Sequence, residues 1–354
     1  MKKKALLCVL LCAMLLQSIG LAGCGKKTEK YTTYSFDYFD TVTTITGYAD
    51  SQKAFDEVAG EILEELGEYH KLFTIYHRYD GMENLCTVNE TVNGAHRRVT
   101  VDPRIAEMLL YAKDMYEKTD GTVNVAMGSV LSIWHDYRTE GVEEPWAAKL
   151  PETDELQEAA AHTDIHKLEI DEAACTVMLT DPDMKLDVGA IAKGYAVEMA
   201  ARSLEEKGIS GYVINVGGNV RTVGPKGDGT PWTVGIENPE EDSEKGYLAY
   251  LELSGESLVT SGSYQRYYVV DGKRYHHIID PETLFPSEGY VSVSVVTKSS
   301  ADGDALSTAL FCMDFEEGLN LVESLEGVEA MWLLPDGTKK ESSGFANYKK
   351  ETME

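Results

Sequence analysis

The stretch from residue 184 to residue 204 constrains the fold more than any other part of the sequence. Its apolar run at 184–188 predicts a strand, and the spacing of apolar residues at 192–204 predicts a helix. An acid, two glycines and a lysine lie at the junction, among them Asp187 and Lys193. A carboxylate beside a glycine turn and a helix N-terminus predicts a phosphate or metal site. The alternative is an ordinary strand-to-helix turn, since glycine-rich turns often precede helices.

Charge limits what such a site can bind. The 354 residues carry a formal net charge of −28, which leaves no basic surface for neutralising the phosphates of a nucleic acid. An anionic small molecule would need a metal ion or a local cluster of lysine and arginine to offset the repulsion. The length allows one large domain or two smaller ones.

The N-terminus has the organisation of a bacterial lipoprotein signal. Lys2-Lys3-Lys4 is a charged n-region, residues 5–16 form an apolar segment too short to span a bilayer, and Leu21-Ala22-Gly23-Cys24 resembles a lipobox. We predict a signal peptide at 1–23, lipidation of Cys24 and a polar tether within 24–34. Acyl chains would then attach the protein to the outer face of the cytoplasmic membrane. A plain secretory signal is the alternative.

Periodicity along the rest of the chain predicts a mixture of helices and strands. Apolar residues recur every three or four positions at 55–72, and Asp102-Pro103 is a good N-cap and first-turn pair for a second helix. A strand is predicted at 36–48, and Asp271-Gly272 predicts a hairpin. Residues 121–138 are too irregular for periodicity to assign. Because helices and strands do not alternate regularly, we predict an α+β fold with largely antiparallel strands.

Two polar stretches in the second half of the chain are candidates for chemistry. Thr260-Ser261-Gly262 is rich in hydroxyl groups, although such residues are also common in turns. His276-His277 offers imidazole groups for metal binding or proton transfer. Neighbouring residues on a strand point to opposite faces, so we expect at most one of these histidines to serve a site. A zinc centre is not expected, because no third ligand lies at a suitable spacing.

A third polar stretch lies between Asp302 and Thr308. On a helix, Asp304 and Thr308 are four residues apart and share a face. A carboxylate, a hydroxyl and a backbone carbonyl are hard oxygen ligands suited to Mg²⁺. Alternatively, Asp302 or Asp304 caps the N-terminus of the helix. The sequence has neither a nucleophile elbow nor a dinucleotide-binding glycine motif, so the residues alone point to an exported protein that binds a phosphorylated ligand through a divalent cation.

Several motifs occur in a fixed order along the chain. They are Phe39-Asp40-Thr41, residues 187–195, Gly217-Gly218-Asn219, Thr260-Ser261-Gly262, His277-Ile278-Ile279-Asp280-Pro281 and Asp304-Ala305-Leu306-Ser307-Thr308. Together they resemble the ApbE family of FAD:protein FMN transferases over nearly the whole mature chain. The resemblance implies a single domain at 35–350 with an α+β, ApbE/T-fold-like arrangement of largely antiparallel sheets flanked by helices.

The resemblance also implies roles for individual residues. The metal ligands would be Asp304, Thr308 and the backbone carbonyl of Ala190. The flavin nucleotide would be contacted by a second group: Asp187, Lys193, Phe39, Tyr76, Thr122, Asn124 and Ile278. Gly121-Thr122-Val123-Asn124 replaces the Gly-Ala-Phe-Asp that is frequent in the family. Candidates for the base are His277, Asp302 and Asp187, with positioning as a second possible role of His277.

The activity implied by the resemblance is Mg²⁺-dependent transfer of FMN from FAD to a threonine hydroxyl of an exported or membrane-bound redox protein, with release of AMP. The lipid anchor would hold the enzyme where its acceptor protein is found. Two alternatives remain. One is a lipoprotein that binds or scavenges FAD without chemistry, and the other is a FAD pyrophosphatase in which water replaces the threonine hydroxyl and gives FMN and AMP.

Overall fold

Helices and antiparallel strands are mixed along the part of the chain that the computed structural model describes, which is residues 28–90, 98–240 and 246–350. The strands are β1 Glu29–Ser35, β2 Thr43–Ala49, β3 Val99–Thr100, β4 Leu168–Asp171, β5 Thr176–Leu179, β6 Tyr212–Val216, β7 Asn219–Val223, β8 Trp232–Glu237, β9 Tyr247–Leu253, β10 Ser257–Gly262, β11 Tyr267–Val270, β12 Lys273–His276, β13 Ser292–Thr297, β14 Glu329–Leu333 and β15 Lys339–Glu341. The α-helices are α1 Gln52–Phe73, α2 Leu85–Glu90, α3 Pro103–Lys118, α4 Gly128–Glu143, α5 Thr153–Ala160, α6 Ala192–Glu206, α7 Ser300–Cys312 and α8 Phe315–Ser324. The predicted α+β class is confirmed.

One antiparallel sheet of eight strands forms the centre, in the order β1-β2-β6-β7-β10-β13-β14-β15. A smaller sheet, β3-β5-β4, and two separate hairpins, β8–β9 and β11–β12, lie outside it. The β11–β12 hairpin turns at Asp271 and Gly272, whose φ angles of 50° and 82° are those of the predicted two-residue turn.

Helices α1, α6 and α7 cover one face of the central sheet. The largest apolar cluster lies between these layers and includes Ile45 and Val295 of the sheet, Leu66 of α1 and Leu306 of α7. The β8–β9 hairpin contributes to a second apolar cluster with β10, β13 and β14. All six residues of β13 are therefore buried, as expected for a strand covered on both faces. The sandwiched sheet gives α6 and α7 a rigid base.

Strand β1 begins inside the predicted tether. Residues Glu29–Ser35 pair with β2 along their whole length, and the ring of Tyr31 lies 5.7 Å from that of Phe55 on α1. The tether prediction is therefore wrong for 29–34. Its polar composition concealed a sheet-edge strand, which buries only part of one face and so needs few apolar residues.

The strand predicted at 36–48 is a loop followed by a strand, because β2 begins only at Thr43. In the loop, Phe39 and Asp40 have φ angles of 56° and 50°. Two consecutive residues in the left-handed region cannot continue a strand, and strain of this kind is characteristic of functional loops.

Helix α4 occupies much of the stretch that periodicity leaves unassigned. Its N-cap residue, Met127, makes no side-chain capping hydrogen bond, so the usual sequence signal for a helix start is missing. No helix within the described residues is long and apolar enough to cross a membrane. The predicted signal peptide and Cys24 lie outside the described residues, and lipidation stays a prediction.

Candidate active site

The segment that leads into α6 is extended but is not a strand. The Leu186 amide donates to Asn89 Oδ1 at 2.7 Å, and Asn89 Nδ2 donates to the Leu186 carbonyl at 2.9 Å. The Asp187 amide donates to the Val125 carbonyl at 2.8 Å. The strand predicted at 184–188 is thus wrong, because the segment forms only an isolated parallel bridge between Lys185 and Met127, and the Asn89 side chain takes the place of a second strand. The predicted helix is confirmed as α6.

Helices α6 and α7 cross at their N-terminal turns, where Asp304 joins them. Asp304 Oδ2 accepts a hydrogen bond from the Gly194 amide at 2.8 Å, and Lys193 Nζ lies 3.6 Å from Asp304 Oδ1. In the opposite direction, Glu198 Oε2 on α6 accepts a hydrogen bond from the Ser300 amide at 2.9 Å. Each helix therefore supplies a carboxylate to a free N-terminal amide of the other.

Asp304 is only 4% exposed. Burial raises the pKa of this carboxyl, whereas Lys193, the Gly194 amide and the Asn219 side chain act to lower it. The Oδ1 atom of Asn219 is itself buried without a hydrogen-bond partner. The carboxylate of Asp304 is thus buried beside an unsatisfied amide oxygen, and its nearest cation is Lys193 at 3.6 Å. A bound metal cation would stabilise both oxygens.

Hydroxyl groups surround Thr308 one turn further along α7. Ser261 Oγ lies 3.4 Å from Thr308 Oγ1 and 2.8 Å from Ser307 Oγ, and the Ser307 hydroxyl donates to the Asp304 carbonyl at 3.1 Å. Ser261 belongs to the hydroxyl-rich motif at the end of β10. The structure thus brings this motif together with the predicted metal ligands on α7.

Capping of α7 does not account for its two acids. The N-cap is Ser299, whose side chain accepts a hydrogen bond from the Asp302 amide at 3.2 Å. The carboxylate of Asp302 instead accepts from the Tyr111 hydroxyl at 2.9 Å. The capping alternative is therefore wrong for both Asp302 and Asp304, and Asp304 is left to interact across the helix crossing.

The donor set at the crossing fits Mg²⁺. The Lys193 ammonium donates to the Gly189 carbonyl at 3.4 Å and lies 3.6 Å from Asp304 Oδ1, so it connects the turn before α6 with this carboxylate. A carboxylate, the Thr308 hydroxyl and a backbone carbonyl are all hard oxygen donors, and Mg²⁺ binds few such protein ligands together with substrate phosphates.

A cavity of about 140 Å³ lies beside the crossing. Four residues predicted to bind the nucleotide are in its walls: Phe39, Tyr76, Asp187 and Lys193. Asp40, His70 and Arg266 also line it and were not predicted as binding residues. The Phe39 amide donates to His70 Nδ1 at 3.2 Å, which fixes the strained loop against α1.

Polar and aromatic groups meet on one side of the cavity. The Asp187 carboxylate accepts a hydrogen bond from the Gly189 amide at 2.8 Å, and burial raises the pKa of this carboxyl. Tyr76 is about half exposed, at 53%, and partial burial with the nearby charge of Asp187 raises the pKa of its phenol to about 12. The Tyr76 ring packs 5.2 Å from the ring of His135 on α4. This side of the cavity offers both a hydrogen-bonding carboxyl group and an aromatic surface.

The two adjacent histidines have different surroundings, although β12 ends at His276 and His277 lies in the bend that follows, so alternation along a strand is not the reason. His276 lies in a hydrogen-bonded position, with Nε2 2.7 Å from the Ser287 carbonyl and Nδ1 accepting from the Ile278 amide at 3.2 Å. His277 Nδ1 is buried without a partner. Burial, with the charges of Arg266, Arg138 and Lys193, lowers the pKa of His277 to about 3. Only His277 is therefore available to a ligand, and it is neutral at pH 7.

Arg138 and Arg266 are site residues that the sequence analysis did not identify. Arg138 lies 3.0 Å from His135 Nδ1, and Arg266 donates to the Asp40 carbonyl at 3.2 Å. Because the net charge is −28, a site for an anionic ligand needs a local cluster of basic residues. Arg138, Arg266 and Lys193 supply that cluster. Nothing in the spacing of residues 138, 193 and 266 could have indicated that they come together.

Three predicted nucleotide-binding residues do not line the cavity. The Asn124 side chain donates to the Thr163 carbonyl at 2.8 Å and accepts from the Ala126 amide at 2.9 Å. Thr122 lies in the same loop, in which the Val125 carbonyl accepts a hydrogen bond from the Asp187 amide. Ile278 is 5% exposed and belongs to the main apolar cluster. The structure therefore gives these residues a supporting position.

Away from the cavity, His162, Asp181 and Asp183 form a second group of side chains that could hold a metal ion. Asp181 already accepts hydrogen bonds from His162 and Lys167, both at 2.8 Å. Although burial acts to raise it, these hydrogen bonds and that of the Asp183 amide lower the pKa of Asp181 to about 2. Since His162 has a carboxylate near each ring nitrogen, the group is satisfied as an ion-pair cluster.

Comparison with known proteins agrees with this geometry. The model of the ApbE family matches residues 39–332. The chain belongs to the ApbE family. A curated ApbE-family relative from Klebsiella pneumoniae (strain 342), described as FAD:protein FMN transferase, is 33% identical over 276 residues, which cover 74% of this chain and 81% of the relative. A relative of the same description from Treponema pallidum (strain Nichols) is 34% identical over 263 residues and 70% of each chain.

Solved structures show that the ApbE fold extends over most of this chain. The crystal structure of the ApbE protein from Thermotoga maritima is 28% identical, with a TM-score of 0.77, and the match covers 91% of this chain and 100% of that chain. The flavin transferase ApbE from Vibrio cholerae is 27% identical, with a TM-score of 0.73, and covers 91% of this chain and 99% of its own. The family and the fold predicted from the motifs are confirmed.

Proposed function

We propose that this ApbE-family protein is an enzyme that transfers FMN from FAD to a threonine hydroxyl of an exported or membrane-bound redox protein, with Mg²⁺ as cofactor and AMP as the second product. The observation that carries the proposal is the helix crossing at Asp304 and Thr308, which joins a set of oxygen ligands to a cavity with aromatic and cationic walls. Relatives described as FAD:protein FMN transferases support the choice of substrate.

The metal would be held by Asp304, Thr308 and the carbonyl of Ala190. Bound there, Mg²⁺ would neutralise charge on the pyrophosphate of FAD. Asp304 is kept in place by the Gly194 amide, and Lys193 beside it adds a second positive charge. In a protein of net charge −28, these groups offset the repulsion that a pyrophosphate would otherwise meet.

FAD would be oriented by the cavity walls. Phe39 and Tyr76 provide aromatic surface for a ring system of the substrate, and Asp187 provides a carboxyl group for hydrogen bonding. A cavity of about 140 Å³ cannot enclose the whole dinucleotide, so one end of FAD would remain outside it.

In the transfer step, the acceptor hydroxyl oxygen forms a bond to the phosphorus of the FMN phosphate. The bond from that phosphorus to the bridging oxygen breaks, and the bridging oxygen leaves on AMP with the bonding electron pair. The proton of the hydroxyl passes to a base. His277 is neutral with a free ring nitrogen, and Asp302 and Asp187 are the carboxyl candidates.

The test is to incubate the mature protein with FAD, Mg²⁺ and a candidate acceptor and to look for flavin fluorescence that stays on the acceptor in a denaturing gel. Asp304→Ala should abolish labelling. Asp314→Ala is the matched control, because Asp314 is exposed just beyond α7 and makes no capping hydrogen bond; it should label normally. FAD binding without turnover under any metal condition would favour the scavenger, and AMP release without labelling would favour the pyrophosphatase.

The proposed location, the outer face of the bacterial cytoplasmic membrane, depends on lipidation of Cys24. Globomycin blocks the processing of lipoprotein signals (a general property of that inhibitor), so treated cells should accumulate the unprocessed precursor. Cys24→Ala should leave the protein either uncleaved or released from the membrane. Normal membrane attachment of Cys24→Ala would contradict the lipid anchor and leave the catalytic proposal untouched.

A further inference from the structure

Arg266, which lines the cavity, and Arg138, which is joined to it through His135, lack the carboxylate partners that most of the other described arginines have. Ion pairs with carboxylates are made by a larger set: Arg78, Arg98, Arg104, Arg202 and Arg221. Arg138 and Arg266 are instead hydrogen bonded to His135 Nδ1 and to the Asp40 carbonyl. Neither lies within 4.0 Å of a carboxylate oxygen of the described residues. In a strongly acidic protein, two arginines without acidic partners at one site need a specific explanation.

These two charges act on the same neighbours and on each other. Both are among the cations that lower the pKa of His277, after burial, and both act on Tyr76. Burial and then the charge of Arg266 lower the pKa of Arg138. Two guanidinium groups near one another, one of them partly buried, repel each other unless an anion is present.

The cluster also contains an unused hydrogen-bonding group. His277 Nδ1 is buried and has no partner among the described residues, and the charges that act most strongly on it are those of Arg266 and Arg138. Arg266 lines the cavity directly. Arg138 is connected to it through His135, whose ring packs on the cavity residue Tyr76. Only Arg266 lines the cavity, but the two arginines and the imidazole act on one another electrostatically, and neither arginine has a carboxylate partner among the described residues.

We propose that Arg138 and Arg266 bind the phosphate of the FMN half of the flavin nucleotide, as an anion site separate from the metal ligands Asp304 and Thr308. The proposal rests on the flavin transfer proposed above. Guanidinium groups match phosphate oxygens in geometry and remain charged when partly buried. An anion bound between the two arginines would be attracted to both and would offset their mutual repulsion.

This assignment has a consequence for the transfer step. The FMN phosphate is the group under attack, and it stays attached to the flavin before and after transfer. Its non-bridging oxygens would remain bound to Arg138 and Arg266 while the bridging oxygen leaves with AMP. The arginines would therefore stabilise charge on the phosphoryl group in the transition state, which is where such groups contribute most to phosphoryl transfer.

Binding of FMN and of riboflavin, which lacks the phosphate, tests the proposal without catalysis. Calorimetric titrations in EDTA remove any metal contribution. The wild-type protein should bind FMN at least about tenfold more tightly than riboflavin. Arg138→Gln and Arg266→Gln should each weaken FMN binding about ten- to hundredfold and leave riboflavin binding unchanged, while the corresponding Lys variants should retain part of the preference.

Arg274→Gln is the matched control. Arg274 is an exposed arginine on the neighbouring strand β12, and its guanidinium lies over the ring of Tyr267, 4.6 Å from the centroid. This variant should keep the wild-type preference for FMN. Unchanged riboflavin binding in the site variants shows that they are folded, so a loss confined to FMN can be attributed to the phosphate.

Titrations with AMP and adenosine distinguish the two phosphates of FAD. The assignment requires that the Gln variants lose FMN affinity more than AMP affinity. A loss confined to AMP would overturn it, as would equal loss of FMN and riboflavin or the absence of any FMN preference in the wild type. If the FMN preference depends on both arginines but no acceptor is labelled, the anion site stands and the proposed transferase function fails.

Discussion

The carboxylate of Asp304 accepts a hydrogen bond from the backbone amide of Gly194 at 2.8 Å, so the side chain predicted to bind metal also connects two helices that are 110 positions apart in the chain. A Cβ atom on Gly194 would lie 2.3 Å from the Ser300 carbonyl oxygen and 2.4 Å from Asp304 Cβ. Both contacts are far inside van der Waals distance. The approach of the two helices, and with it the position of the carboxylate, depends on glycine at this residue.

Gly194→Ala should therefore reduce both stability and metal binding. Overpacking of this kind costs about 1–3 kcal/mol, and the displaced Asp304 should raise the Mg²⁺ concentration needed for half-maximal labelling. Urea unfolding and Mg²⁺ titration measure the two effects. Gly60→Ala is the control, since a Cβ on this exposed position of α1 meets nothing within 4 Å; it should stabilise the protein by about 0.5–1 kcal/mol. A wild-type Mg²⁺ response in Gly194→Ala would contradict the coupling.

A buried ion pair holds the other half of the crossing. Glu198 Oε2 accepts hydrogen bonds from the Ser300 amide and from Arg221 Nε, at 2.9 Å and 3.2 Å, and both charged side chains are almost fully buried. Glu198→Gln keeps an acceptor for the amide but leaves the guanidinium less compensated, which should cost about 3–5 kcal/mol. Glu205→Gln removes a partly exposed partner of the same arginine and should cost under about 1 kcal/mol. Equal losses in denaturant unfolding would show that burial of the pair is not what matters.

Much of this site could be predicted from sequence because its residues lie in short local patterns. Asp304 and Thr308 share a helix face by spacing alone, whereas the strand argument for His276 and His277 does not apply, because β12 ends at His276. By contrast, the role of Gly194 is a contact with a helix that follows 110 residues later, which no local pattern encodes. The two arginines were missed for the same reason.

The errors in secondary structure have a related cause. Residues 184–188 are extended and alternate apolar and charged side chains, but they form only an isolated bridge between Lys185 and Met127, and the Asn89 side chain satisfies the backbone of Leu186, so no strand forms. In β1 the opposite holds: polar residues form a strand because a neighbouring strand is available to pair with them. Local composition predicts an extended backbone, whereas a strand requires a partner that only the tertiary structure supplies.

The buried imidazole of His277 predicts a specific dependence of stability on pH. Its pKa is lowered to about 3 in the folded protein, compared with 6.5 in the unfolded chain. Between these values the unfolded chain binds the proton and the folded protein does not, so the contribution of His277 is fully present above about pH 6.5 and is lost as pH falls toward 3. In urea unfolding without FAD, the stability of the wild type relative to His277→Asn should therefore fall between pH 7 and pH 4. Parallel curves would show that His277 titrates alike in both states.

Variants of Tyr76 can separate the contribution of its aromatic ring to FAD binding from that of its hydroxyl group. The ring packs on His135, and burial raises the pKa of the phenol to about 12, so the hydroxyl stays neutral at physiological pH. If the ring contacts the flavin or the adenine, Tyr76→Phe should bind FAD within about threefold of the wild type. Tyr76→Ala should lose about tenfold or more, because it removes both the stacking surface and the apolar contact area. Fluorescence titration with FAD measures both variants. A Phe variant as weak as the Ala variant would assign the binding energy to the hydroxyl group instead of the ring.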